Sequence, residues 1–265
     1  MKKFYHPGEK FPSISVTGDT CALSCPHCEG KFLKGMKHIS EPEELYRFAL
    51  KFEDSGGNGF LLSGGCNERG EVPIADFCPV LSEIKETTSL EINVHTGLPS
   101  EETAEKLAGT DIDTVSYDMI GSKETIDRIY GIDATPTDYK KAYEMLRRKG
   151  IKVVPHITVG LNGGELQGEC RGIELLDGPS KLILNSFIPK NFGKTVGQDD
   201  FFSVMAHVPQ RTDIILGCMR ERGRHGMEKK ALKRGAKGIV NPSKETVSWA
   251  EKNYEIKRIE KCCAL

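Results

Sequence analysis

Three cysteines set close together near the start of the chain, in Cys21-Ala-Leu-Ser-Cys25-Pro-His-Cys28, are the residues best placed to do chemistry. Thiolates packed this tightly in one loop can hold three corners of an iron–sulfur cubane and leave the fourth iron open to a chelating ligand. The competing reading is a zinc site with a remote fourth ligand. Structural zinc sites pair two CxxC or CxxH halves, and the sequence offers no second half of that type. The chain has nine cysteines in 265 residues. An odd count with uneven spacing fits a disulfide framework poorly, and in a reducing compartment it argues for metal binding or catalysis.

Bulk composition narrows the classes further. Hydrophobic residues make up 38% and charged residues 28%, so a buried core is feasible. The formal net charge of -1 gives no electrostatic case for nucleic acid or an anionic membrane surface. No apolar run follows the basic residues at the start, and none approaches the roughly 20 residues of a membrane span. A cytoplasmic enzyme is the expectation.

The cysteine loop must be held by something. Short β-rich runs at 13–17, 59–63, 90–95, 114–119, 152–159, 181–188, 213–218 and 238–241 alternate with amphipathic stretches at 41–52, 74–85, 101–108, 139–149, 227–234 and 244–253. Strands separated by helices predict parallel βαβ units with right-handed crossovers. Eight such units suit an α/β fold of the (β/α) barrel kind, full or nearly full; an open doubly wound sheet shares the local pattern. The barrel is favoured by where the unusual residues fall. The cysteine loop, Ser63-Gly64-Gly65-Cys66, His95, Asp118, Gly160, Asn185 and Cys218 all stand at or just past the C-terminal end of a strand. Residues 1–254 read as one barrel, and 255–265 as a tail, with an extended segment near 254–260 and the pair Cys262-Cys263. The tail is expected to fold back over the barrel mouth.

CxxxCxxC after a first strand, with His27 at the position before the last cysteine, resembles the signature of the radical S-adenosylmethionine (SAM) superfamily. The resemblance implies a [4Fe–4S] cluster on Cys21, Cys25 and Cys28 whose open iron chelates SAM. One electron then releases a 5′-deoxyadenosyl radical able to abstract hydrogen from an unactivated C–H bond. Ser63-Gly64-Gly65-Cys66 resembles the Gly-Gly-Glu motif whose backbone accepts from the SAM ammonium, with Cys66 standing where glutamate is usual. Superfamily members place a polar residue on the SAM ribose at the end of the fourth strand, which implies Asp118 or, second, Ser116. Gly160-Leu161 resembles a segment that packs on adenine. His95 and Asn185, at other strand ends, are further candidates for the cofactor pocket, while His156 reads as structural.

Six cysteines remain. Cys78 reads as a small core residue and Cys170 as exposed, whereas Cys218 ends a strand on the same rim. With Cys262 and Cys263 it forms a candidate ligand set for a second [4Fe–4S] cluster, and Cys66 or Arg220 is a candidate further ligand. The motif order is similar to that of the biotin synthase and lipoyl synthase branch. Leu-Gly-Cys218-Met-Arg220 and the terminal Cys-Cys-Ala-Leu look most like the archaeal-type two-component lipoyl synthases. That likeness implies sulfur insertion into a protein-bound octanoyl chain on a lipoyl domain or the glycine-cleavage H protein. It also implies a second radical SAM subunit and an electron donor such as ferredoxin or flavodoxin. Two alternatives stay open: a radical SAM methylase, mutase or dehydrogenase with one cluster, and a zinc-binding barrel without catalysis.

Overall fold

Strand-forming runs such as Lys-Leu-Ile-Leu-Asn-Ser at Lys181–Ser186 are buried along most of their length. This is the signature of parallel strands covered on both faces. The computed structural model describes residues 1–189 and 191–265. Its strands are β1 (Lys2–Tyr5), β2 (Ser13–Ser15), β3 (Lys37–His38), β4 (Gly59–Ser63), β5 (Glu91–His95), β6 (Thr114–Asp118), β7 (Val153–Val159), β8 (Lys181–Ser186), β9 (Asp213–Leu216), β10 (Gly238–Val240) and β11 (Ile256–Ile259). The α-helices are α1 (Pro42–Asp54), α2 (Cys78–Thr87), α3 (Glu101–Ala108), α4 (Lys123–Thr125, continued by a π turn Ile126–Tyr130), α5 (Pro136–Arg148), α6 (Glu169–Leu175), α7 (Gln198–His207), α8 (His225–Lys233) and α9 (Lys244–Ala250).

The strands form one sheet in the order β11-β1-β10-β9-β8-β7-β6-β5-β4-β2-β3. Every pairing is parallel. The sheet curls into an open (β/α) barrel, and among the described residues its edge strands β11 and β3 do not pair with each other.

Alternation sorts the side chains. Ile92, Val94, Val115, Tyr117, Ile157, Val159, Leu182 and Leu184 pack with the helices in the main core. The intervening residues face the lumen, whose lower layer is a separate apolar cluster of Tyr5, Val154, Ile183, Ile215 and Val240. Above it lie Asn93, His95, Ser116, Asp118 and His156.

All eight expected strands are present. Beyond them, β1 escaped the sequence reading because four residues carry little period. Only the sheet reveals that Phe4 and Tyr5 are buried, at 0% and 2% exposure. Helices α6 and α7 were also not anticipated. In α6, Gly172 sits where a Cβ would come within 3.0 Å of Ile157, so close packing against β7 takes the place of an amphipathic stripe.

The tail runs opposite to expectation. β11 pairs with β1, with Ile259 beside Tyr5. The chain then crosses to the N-terminal ends of the strands. Asn58, just before β4, donates to the Glu260 carbonyl at 3.0 Å, and Lys261 pairs with Glu91 at the start of β5. Lys181, first residue of β8, donates to the carbonyls of Cys263 at 3.2 Å and Ala264 at 3.5 Å. Cys263 and Ala264 join the apolar lumen layer. The tail therefore closes the barrel floor and does not cover the mouth, because parallel pairing of β11 delivers it to the sheet gap at the level where β4 and β5 begin.

Candidate functional site

The cysteine loop leaves the end of β2 and is stitched to the turn that ends β4. The Val16 amide donates to the Ser63 carbonyl at 2.8 Å, and the Gly65 amide donates to Thr17 Oγ1 at 2.7 Å. The Ala22 amide donates to the Cys66 carbonyl at 2.8 Å, and the Cys66 amide donates to Cys21 Sγ at 3.2 Å. A Cβ on Gly65 would stand 2.0 Å from the Thr20 carbonyl oxygen and 2.7 Å from Cys21 Cα, so only glycine permits this approach. Within the loop the amides of Cys28 and Glu29 both donate to the Cys25 carbonyl at 2.9 Å, folding Cys25 through Glu29 into a tight turn.

The thiols share one neighbourhood. Burial, with Cys28 and Cys21 nearby, pushes the Cys25 thiol up to about 12. Burial, then Cys21, Cys25, Asp118 and Cys28, pushes Cys66 up to about 12. Both shifts disfavour the ionised thiol, so thiolates at this place call for a cation to offset that cost. His27 Nδ1 is buried with no hydrogen-bond partner among the described residues, and its ring meets Tyr130 edge-on with centroids 6.2 Å apart. No group of three or more His, Cys, Asp or Glu among the described residues closes to the spacing of a single metal ion. A cubane holds its cysteines on separate corners, each on a different iron, and a backbone amide donating to a ligand sulfur is a usual tuning contact. The residues present fit a cluster on Cys21, Cys25 and Cys28 better than a zinc ion.

Below the loop, in the lumen, His95 Nε2 donates to Asp118 Oδ2 at 3.0 Å. Both side chains are part open, at 30% and 36% exposure. Burial alone would raise Asp118, but the charge and hydrogen bond of His95 outweigh it and hold the carboxyl below its ordinary value. Burial likewise pulls His95 down, yet Asp118 wins and holds it above the usual imidazole range. Burial brings His156, whose Nδ1 lies 3.1 Å from the Val154 carbonyl, down to about 4. Ser116 is not free for a ligand, since it exchanges hydrogen bonds with the Asn93 amide at 2.9 and 3.1 Å. Asn185 is 5% exposed and its Oδ1 has no described partner, which leaves it available.

Cys262 and Cys263 enter this lumen from the floor, whereas Cys218 stands exposed just past the C-terminal end of β9. Each of the two tail cysteines lies close enough to Cys218 for their charges to interact. Asn93 Nδ2 donates to Cys262 Sγ at 3.2 Å. Hydrogen bonding from Cys263, more than any other influence, holds the Cys262 thiol below its ordinary value. Sequence reasoning passed over Asn93; its signal is a polar residue inside an otherwise apolar strand.

Two expectations are corrected. Arg220 is not placed as a cluster ligand, because its guanidinium is committed elsewhere. Nε and Nη2 donate to Glu228 Oε1 at 3.1 and 2.6 Å, Nη1 donates to the Gly217 carbonyl at 2.5 Å, and Nη2 also donates to the Asn241 carbonyl at 3.0 Å. Gly160-Leu161 does not present bare backbone. A Cβ on Gly160 would stand 2.5 Å from Val196 Cγ2, Leu161 is 5% exposed, and the Gly160 amide donates to Glu169 at 2.8 Å. Its glycines admit the chain's own segment around Val196. Cys78 is buried as expected, and Cys170 is half-buried against the core.

Comparison with known proteins bears on this arrangement. Two proteins named biotin synthase, from Cenarchaeum symbiosum (strain A) and Nitrosopumilus maritimus (strain SCM1), are 20% and 21% identical, over 92% and 93% of this chain and 81% and 79% of theirs. Methylornithine synthase (PylB) shares the fold with a TM-score of 0.63 at 15% identity, across 97% of this chain and 79% of that one. The FeFe-hydrogenase maturase HydG from Carboxydothermus hydrogenoformans does so at 0.62 and 16% identity, over 90% of this chain, which spans only 58% of that maturase. The family model described as the radical SAM superfamily matches residues 15–167, more than half of the chain and the part carrying the cysteine loop, the Ser-Gly-Gly turn and Asp118. On that match and this geometry, the chain belongs to the radical SAM superfamily.

Proposed function

We propose that this protein is a radical SAM sulfur-inserting enzyme acting on an unactivated C–H bond of a protein-bound octanoyl chain, as one component of a lipoyl synthase. When bound, the cluster and SAM supply reductive cleavage to a 5′-deoxyadenosyl radical, the species able to abstract such a hydrogen. Cys21, Cys25 and Cys28 hold the cluster at the mouth, and the Cys66 amide steadies Cys21 from the neighbouring turn. Asp118, ionised and fixed by His95, is the group suited to accept from the ribose hydroxyls.

One observation carries the sulfur-inserting part of the reading: the tail brings Cys262 and Cys263 into the barrel lumen, within electrostatic reach of Cys218, and these three would hold an auxiliary cluster as sulfur donor. The two biotin synthase relatives agree with that chemistry. Octanoyl carriers, a second radical SAM subunit and a ferredoxin or flavodoxin donor belong to the same proposal.

The test is iron and sulfide content with electron paramagnetic resonance after anaerobic reconstitution. Wild type should hold two clusters, about eight iron atoms. A triple Cys21/Cys25/Cys28→Ala variant should keep one, and Cys218→Ala should still cleave SAM yet transfer no sulfur. A wild-type content of about four iron atoms rejects the sulfur-inserting reading and leaves a single-cluster radical SAM enzyme.

A further inference from the structure

The turn ending β4 carries a thiol where the superfamily pattern has glutamate, and it stands beside the three loop cysteines. Its backbone is fixed on both sides. The Cys66 amide donates to Cys21 Sγ at 3.2 Å, its carbonyl accepts from Ala22 at 2.8 Å, and Gly65 lies too close to Cys21 for any Cβ. The backbone of Cys66 cannot shift without breaking the stitching of the loop itself. Its side chain is within electrostatic reach of all three loop thiols and of Asp118. A plain filler of this turn would not need sulfur. Nearby, His27 keeps a buried ring nitrogen without a described partner, a second polar group turned inward beside the loop and left unsatisfied by the protein.

We propose that Cys66 is a fourth, exchangeable thiolate for the mouth cluster, occupying the open iron while SAM is absent and yielding it when SAM arrives. This rests on the assignment of Cys21, Cys25 and Cys28 as cluster ligands. In the exchange one iron–sulfur bond to Cys66 breaks, and bonds form from that iron to the SAM amine nitrogen and carboxylate oxygen. The proton shed by the SAM ammonium goes to the Cys66 sulfur, so no electron is gained or lost. The consequence is protection. An iron with an open position is the one lost to oxidants, and a thiolate on it closes the cube until substrate is at hand.

The apparent affinity for SAM is lowered by the fraction of enzyme in the capped form. If that form holds about nine-tenths of the SAM-free population, removing the thiol tightens SAM about tenfold. The experiment compares reconstituted wild type with Cys66→Ala and Cys66→Ser. It measures SAM affinity by equilibrium dialysis, and the growth of a [3Fe–4S] paramagnetic signal on limited ferricyanide treatment. Both variants should keep wild-type iron, bind SAM more tightly and lose the labile iron faster, with the difference in loss rate abolished at saturating SAM. An auxiliary cluster contributes equally to all three proteins and cancels. Unchanged or weaker SAM binding with unchanged iron loss overturns the proposal. Complete loss of the mouth cluster in both variants also overturns it, since Cys66 would then be a permanent ligand. A wild type that takes up no iron removes the underlying cluster assignment as well, and is distinguished from the other failures by the iron assay alone.

Discussion

Replacing Arg220 by methionine separates a structural role from metal ligation. Its side chain and that of Glu228 are 2% and 8% exposed. With the guanidinium gone, the Glu228 carboxylate keeps the Ser243 amide at 3.0 Å and the Ser243 hydroxyl at 2.7 Å, but loses its counter-charge. Removing one partner of a buried ion pair costs about 3–5 kcal/mol. For a domain of this size each kcal/mol moves the melting temperature by about 2–4 °C, so a fall of about 6–20 °C is expected. Adding Glu228→Gln discharges the stranded carboxylate and should restore part of that loss, and the double-mutant cycle should show strong coupling. Differential scanning calorimetry reads the stability, and iron per chain is measured on the same samples. Iron should not change. A melting temperature within about 2 °C of wild type, together with lost iron, would refute the reasoning and return Arg220 to the ligand set.

Gly65→Ala, facing the Thr20 carbonyl at 2.0 Å, should cost about 1–3 kcal/mol of overpacking and cut iron uptake. Gly64→Ala, with its nearest atom at 3.1 Å, should be milder in both thermal melts and iron assays. The His95–Asp118 pair should make stability depend on pH. Asp118 is held below its ordinary 3.8, so its contribution is present above that value and is lost as pH falls through the lowered one. His95 is held above 6.5, so its contribution is complete below 6.5 and is lost as pH rises through the raised value. The difference in melting temperature between wild type and Asp118→Asn should therefore be largest near pH 5–6 and shrink by pH 8.5. A difference constant across that range would contradict the pairing. Lys181→Met removes the ammonium that holds the carbonyls of Cys263 and Ala264. Hydrogen exchange at residues 262–265 should then quicken, and unchanged protection would mean that apolar packing alone seats the tail.

Read along the chain, period and motif were enough for the eight central strands, the barrel class and the three clustered thiols. Those signals are local: a strand's apolar run, or a CxxxCxxC spacing, is complete within a few residues. Cys66 beside Cys21 was also within reach, because both follow strands that pair as neighbours. Tertiary structure alone decided the rest. Arg220 carries the same formula whether it meets iron or Glu228, and only the position of α8 chooses. The glycines after β7 look alike whether a ring or Val196 lies against them. The tail held the largest surprise, since an edge strand's partner and direction depend on where the sheet leaves its gap. That gap is set by the stagger of all eleven strands and is written in no single segment.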